Sequence, residues 1–348
     1  MASASDSAVF LIVHREKNGH QFRVFSYEDE EAKYIMVATN ICRQLLKHGQ
    51  SRQAFKEIAE VYKEHHPNGW FKKWTLDEIV NKFINLILDT FPWIFSDHGF
   101  RNPNISGCHW RRKYDGFHSR KQAILLNGSR VSDMCAAAKN AKGTNPNSKE
   151  HKYYRLFVFL IATTLFHELG HIFITFLSLG DADTPPEHVP ELAGIHARTE
   201  PESGNILEGK VFGGSVVHGR DPKSDDTQPG VPHLVDKDGV GEISQQMVDG
   251  FLRCDFQFPF QKSDHAISDP LEVIGGFWDE FLPSDPLNHP SMRELAEEFP
   301  ENPFDFTQLD DLEPSVRVLP KVQVGPGSAL ARGAFKPNDF RIEVVKTK

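Results

Sequence analysis

Residues 9–13 form a short continuous apolar run and 21–25 alternate polar with apolar, with Asn18-Gly19 between the two. Both patterns predict strands, and Asn-Gly tolerates the positive φ of a tight turn. The chain therefore opens on a predicted hairpin. From residue 30 the apolar period changes to that of a helix, and three helices are predicted over 30–47, 51–65 and 75–90. The third begins on a capping box, Thr75 and Glu78. Ile79, Phe83, Leu86 and Ile87 form its apolar face, and Pro92 stops it.

Residues 98–121 are polar and carry no period. "QAILLNGS" (122–129) predicts a short strand followed by a turn, and 131–142 a helix stopped by Gly143. The longest run follows, over 148–179 with Gly180 as its stop. From Tyr154 onward it is apolar on nearly every side. Such a helix either crosses a bilayer or fills the centre of a large domain. Arg155 and a group of titratable residues interrupt it, and the sequence holds no second run of spanning length. The buried helix is the expectation, with no membrane partner. A polar loop, a helix over 201–212 and a polar loop over 221–230 come next, then helices over 244–253 and 271–282. Thr199 is placed to cap the first of these and Gly213-Gly214 to end it. After Pro283 the chain is Pro-rich and weakly patterned, and no repeats are found. Three regions are expected: a hairpin with helices over 1–118, a core over 119–283, and a C-terminal extension over 284–348 packed on that core.

Composition narrows the function classes. The chain has 348 residues, 39% hydrophobic and 25% charged, which suits a globular protein with a sizeable core. A formal net charge of -9 gives nucleic-acid binding no electrostatic support. The cluster "HWRRK" (109–113) reads as a solvated basic face, and the 27 phenylalanines read as core. Cys42, Cys108, Cys135 and Cys254 share no ligand spacing and read as reduced thiols. The N-terminus lacks a basic region before its short apolar run, so no signal peptide is predicted and a cytoplasmic location is expected.

The chemistry lies in the long helix. His167 and His171 are four residues apart and project from one helical face. Two imidazoles at that spacing suit one tetrahedral zinc ion. Glu168 follows about 100° further round the same turn. There it reaches a water on the metal without ligating the metal. Zinc lowers the pKa of such a water to about 7, and a carboxylate then takes its proton. Three titratable side chains buried without partners would cost several kcal/mol, which a metal offsets. A third ligand is needed, and the downstream carboxylates are Asp181, Asp183, Glu187, Glu191, Glu200, Glu202 and Glu208. On a helical wheel of 201–212, Gly204, Leu207, Val211 and Phe212 share one arc. Glu208 falls inside that arc and Glu202 on the opposite side. A carboxylate aimed into a core calls for a metal, so Glu208 is favoured, with Glu202 as the alternative.

His167-Glu168-Leu169-Gly170-His171 is the H-E-x-x-H pattern, and the chain resembles the zinc metallopeptidases that carry it. Ile174 and Leu177 stand where the metzincins have glycine and histidine, which excludes that class. The downstream glutamates make the chain similar to the gluzincins. Glu202-Ser-Gly-Asn-Ile-Leu-Glu208-Gly resembles the thermolysin-type stretch E-S-G-A-I-N-E-A, whose last glutamate is the third ligand. That resemblance places the ligand at Glu208. Ile124-Leu125-Leu126-Asn-Gly-Ser129 resembles the family's N-A-F-W-N-G-S and implies an edge strand on which a peptide substrate pairs. The departures are a longer gap from His171 to Glu208, and Phe212 where the family has an aspartate. His218 and His233 are the nearest downstream candidates for its transition-state histidine.

The expectation is an α+β, zincin-like (gluzincin) catalytic core built on a long buried H-E-x-x-H helix, with an added N-terminal α/β segment. Its cofactor is Zn²⁺, held by His167, His171 and Glu208, with Glu168 as general base. Its partner is a peptide or small amide substrate, and no nucleic acid. Two alternatives accompany it: a hydrolase of a non-peptide amide or ester in biosynthesis, and a non-catalytic zinc-containing binding protein. "DKDGVGE" (236–242) lacks a full calcium-ligand series and reads as a polar turn.

Overall fold

The computed structural model describes residues 12–15, 22–24, 29–66, 69–98, 100, 106–110, 117, 119, 122–179, 203–220, 227–266, 316–321 and 341–346. Strands β1 (Ile12–Arg15) and β2 (Phe22–Val24) pair antiparallel, as the opening pattern predicts. Helices α1 (Glu30–Lys47), α2 (Gly49–His65) and α3 (Leu76–Asp89) follow. The capping box forms: Thr75 accepts from the Glu78 amide while the Glu78 carboxylate accepts from the Thr75 amide. Both exchanges satisfy amides that a helix start leaves unpaired.

Two strands lie where the sequence showed none, β3 (Trp93–Asp97) and β4 (Gly107–Trp110). β5 (Ala123–Asn127) runs directly into α4 (Gly128–Ala141), with Asn127 as cap. Helix α5 (Lys149–Leu177) starts on a Ser148 cap. It ends with Leu179 at φ 62°, a left-handed residue one position before the glycine expected there. Beyond it come α6 (Ser203–Phe212), β6 (Ser215–Gly219), β7 (Val231–Asp236), β8 (Gly239–Ile243), α7 (Gln245–Leu252) and β9 (Lys262–Ala266). In the Pro-rich C-terminal region, β10 (Val316–Lys321) and β11 (Arg341–Lys346) pair antiparallel. The helix expected over 271–282 lies outside the described residues.

The first sheet has the order β2-β1-β3-β5-β4, with β1, β3 and β5 parallel and β2 and β4 antiparallel at its two edges. This corrects two expectations. β5 pairs with β3 on one side and β4 on the other, and every residue in it is buried. Ile124, Leu125 and Leu126 therefore present no free backbone edge to a substrate, and β4 is the edge strand. A boundary at 118 would also separate β4 from β5, which are hydrogen-bonded partners. The N-terminal helices and the central helix share one buried core that runs from Ala32 to Phe260.

The second sheet is antiparallel, in the order β6-β7-β8-β9. "DKDGVGE" forms the polar turn between β7 and β8, where Asp236 accepts from the Asp238 amide at 2.8 Å and Gly239 takes φ 111°. Helix α5 packs against α1, α4, α6 and α7. By length and composition alone it could cross a membrane, but 89% of its most apolar window is buried inside the fold. Phe55 of α2 lies edge-on to Phe166 and Phe173 of α5, and Phe166 meets Phe212 of α6. The phenylalanines of the chain thus supply the aromatic packing that holds α5 in place.

Candidate metal centre

Helix α6 lies against α5 because two glycines let the backbones meet. A Cβ on Gly170 would stand 2.7 Å from the Ser203 carbonyl oxygen. A Cβ on Gly204 would stand 2.3, 2.4 and 2.5 Å from Nε2, Cδ2 and Cε1 of His167. Near-equal distances to three ring atoms mean that the imidazole lies face-on to Gly204. Any side chain at 204 would occupy the space of the ring.

This contact delivers Glu208 to His167. Glu208 is 4% exposed; its Oε2 accepts from the Val216 amide at 2.8 Å, and its Oε1 stands 3.1 Å from His167 Nδ1. Glu208 thus lies on the buried side of α6 with Gly204, Leu207, Val211 and Phe212. One turn along α5, His171 is buried, and its Nδ1 is 2.8 Å from the hydroxyl of Ser203, which is wholly buried. The two imidazole centroids are 5.2 Å apart with planes at 64°. Glu202 and the carboxylates at 181–200 lie outside the described residues.

Strand β4 covers the adjoining face of α5. A Cβ on Gly107 would stand 2.8 Å from Thr164 Cγ2, so the strand rests directly on the helix. Burial pushes the Cys108 thiol well above its ordinary range, and the charges of Glu168 and Asp97 add to that shift. Cys108 is thus a neutral thiol within electrostatic reach of Glu168, which is itself 4% exposed. The ring of His109 stacks near His171, with centroids 6.5 Å apart and planes at 22°. His109 Nε2 is 2.9 Å from Oε1 of the fully buried Gln122. Thr164, Glu168 and His171 share one stripe of α5, and the edge strand follows it.

The downstream histidines are placed differently. His218 lies 6.0 Å, centroid to centroid, from Phe159, two helical turns before His167. In the β6–β7 register Val217 pairs with His233 and His218 with Pro232. The two histidines therefore point to opposite faces. It is His109, taken in the sequence as part of a basic surface, that stands beside His171. Burial pushes the His218 pKa from 6.5 down to about 3, and the Pro229 backbone offsets only part of this. The folded chain keeps His218 neutral while the unfolded chain protonates it. Its contribution to stability is complete above pH 6.5 and is lost as the pH falls from 6.5 toward 3. Urea midpoints measured at pH 7 and pH 4.5 should fall by the equivalent of about 1–3 kcal/mol more in the wild type than in His218→Phe. Equal falls would remove His218 as a source of acid lability.

His167, His171 and Glu208 are donor types that suit zinc. Donors that share one tetrahedral zinc at about 2.0–2.1 Å stand roughly 3.3 Å apart, and two imidazoles on that ion have centroids roughly 5 Å apart. The observed separations are 3.1 Å for His167 and Glu208 and 5.2 Å for the two rings. Among the described residues, no three His, Cys, Asp or Glu side chains converge into one ready-made group. No family model, curated protein or solved structure matches the chain.

Proposed function

We propose that the chain is a zinc-dependent hydrolase, of which a metallopeptidase is the best-supported form. The observation that carries this reading is the meeting of α5 and α6. It brings a buried carboxylate, Glu208, to His167 across 41 residues of sequence, on a helical face that also carries His171 and beside a second buried carboxylate, Glu168. His167, His171 and Glu208 would hold the ion. Zinc, when bound, supplies a Lewis acid for the scissile carbonyl and lowers the pKa of an attacking water. Glu168 accepts the proton of that water and returns it to the leaving nitrogen. Among the described residues β4 is an edge of its sheet, where an extended peptide would add as a further strand. That edge supports a peptide substrate over a small amide or ester. The α+β, zincin-like description rests on the same elements: a mixed sheet, an antiparallel edge strand and the long helix beneath it.

A mixture of internally quenched peptides, run beside small amide and ester substrates, tests this reading. The expected result is peptide cleavage that stops on chelation and returns with zinc. Turnover of the small substrates alone would move the reading to a non-peptide hydrolase. No turnover of any of them by zinc-loaded protein would favour a binding protein. The ligand set has its own test. Glu208→Ala should weaken zinc binding at least tenfold, while Glu202→Ala leaves it close to wild type. The reverse pattern would give the third position to Glu202.

A further inference from the structure

We infer that Ser203 is a positioning residue that commits His171 to binding a metal through Nε2; this rests on the zinc reading above. An imidazole offers two nitrogens, and the hydrogen bond made by one decides which is left for a metal. The Nδ1 of His171 is already engaged, 2.8 Å from the Ser203 hydroxyl. Ser203 is wholly buried and His171 is 6% exposed, so water does not compete for that bond. With Nδ1 held by Ser203, a metal would take Nε2. A neutral ring with Nε2 on a metal carries its proton on Nδ1, and the serine oxygen accepts it.

The surroundings hold the ring in the same pose. One face stacks near His109, itself tied to Gln122 at 2.9 Å. The Ser203 carbonyl is pressed against Gly170, which fixes the start of α6 on α5. Ser203, Gly204 and Glu208 thus come from one helix and touch both histidines. Metal affinity and the docking of α6 are coupled through that helix. The gluzincin-like stretch supplies the residue, but only the fold shows its contact: Ser203 lies 32 positions beyond His171.

The test is zinc affinity of the full-length chain, measured by competition with a chromogenic chelator, with thermal melting of the metal-free protein in parallel. Ser203→Ala should bind zinc about 10–100-fold more weakly than wild type, and Ser203→Thr, which keeps the hydroxyl, should regain most of that loss. The metal-free melting temperature of Ser203→Ala should fall far less than its affinity implies. Wild-type affinity in Ser203→Ala overturns the inference and leaves the zinc reading intact. A wild type that takes up no zinc overturns the zinc reading first. If the variants do not fold, the ¹⁵N imidazole shifts of zinc-loaded wild type decide. A protonated Nδ1 with zinc-shifted Nε2 on His171 supports the inference, and zinc on Nδ1 overturns it.

Discussion

On the zinc-hydrolase reading, Glu168→Gln is expected to lower hydrolysis by about 10²- to 10⁴-fold and to leave the zinc content unchanged. Glutamine keeps the size of the side chain and its place on α5, but its amide cannot accept a proton from water. The carboxylate is 4% exposed and within electrostatic reach of the Cys108 thiol of β4, so bulk water has little access to it. The proposed ligands are other residues, which is why metal content is the control. Steady-state rates on the cleaved peptides, with elemental analysis of the same samples, give both readouts. An unchanged rate would show that Glu168 is not the base. A lost rate with lost zinc would mean that it holds the metal instead.

Gly204→Ala damages the centre from the other side. The added Cβ would sit 2.3 Å from His167 Nε2, a contact that real side chains do not make. Either the ring turns off the face of α6 or α6 backs away from α5. Turning the ring breaks the 3.1 Å contact with Glu208, and moving the helix breaks the 2.8 Å bond from Ser203 to His171. Overpacking of this kind costs about 1–3 kcal/mol or more. The expected result is a lower melting temperature together with zinc binding weakened at least tenfold. Gly143→Ala is a useful contrast, since its added Cβ meets nothing within 4 Å although its φ of 82° disfavours alanine. That variant should lose some stability and no zinc affinity. Wild-type zinc binding in Gly204→Ala would mean that α6 does not form a wall of the site.

What the sequence made legible was local. Thr75 and Glu78, Ser148, and the apolar faces of α1 and α3 announce themselves within a few residues, because capping and amphipathic packing act over one or two turns. The face of α6 that carries Glu208 was readable for the same reason. β3 was missed because a parallel interior strand buried on both faces does not alternate. β4 was missed because it is four residues long in a polar stretch, and its partner choice is decided by tertiary pairing. That one omission misdirected two inferences. It left β5 as the only candidate edge strand, and it left His109 on the surface. The sheet of β6 to β9 has partly exposed strands and was legible only at its turn. Ser203 carried no signal of its own, since a buried serine is identified by what it touches.

The central claim is that His167 and His171 of α5 hold a metal. Elemental analysis of protein purified without chelators or a metal-affinity tag tests it most directly. The account predicts close to one zinc per chain, removed by chelation and restored on addition. Protein that contains no zinc and takes none up would contradict it. α5 would then be a core helix whose histidines are satisfied by protein partners, Glu208 and Ser203 among them.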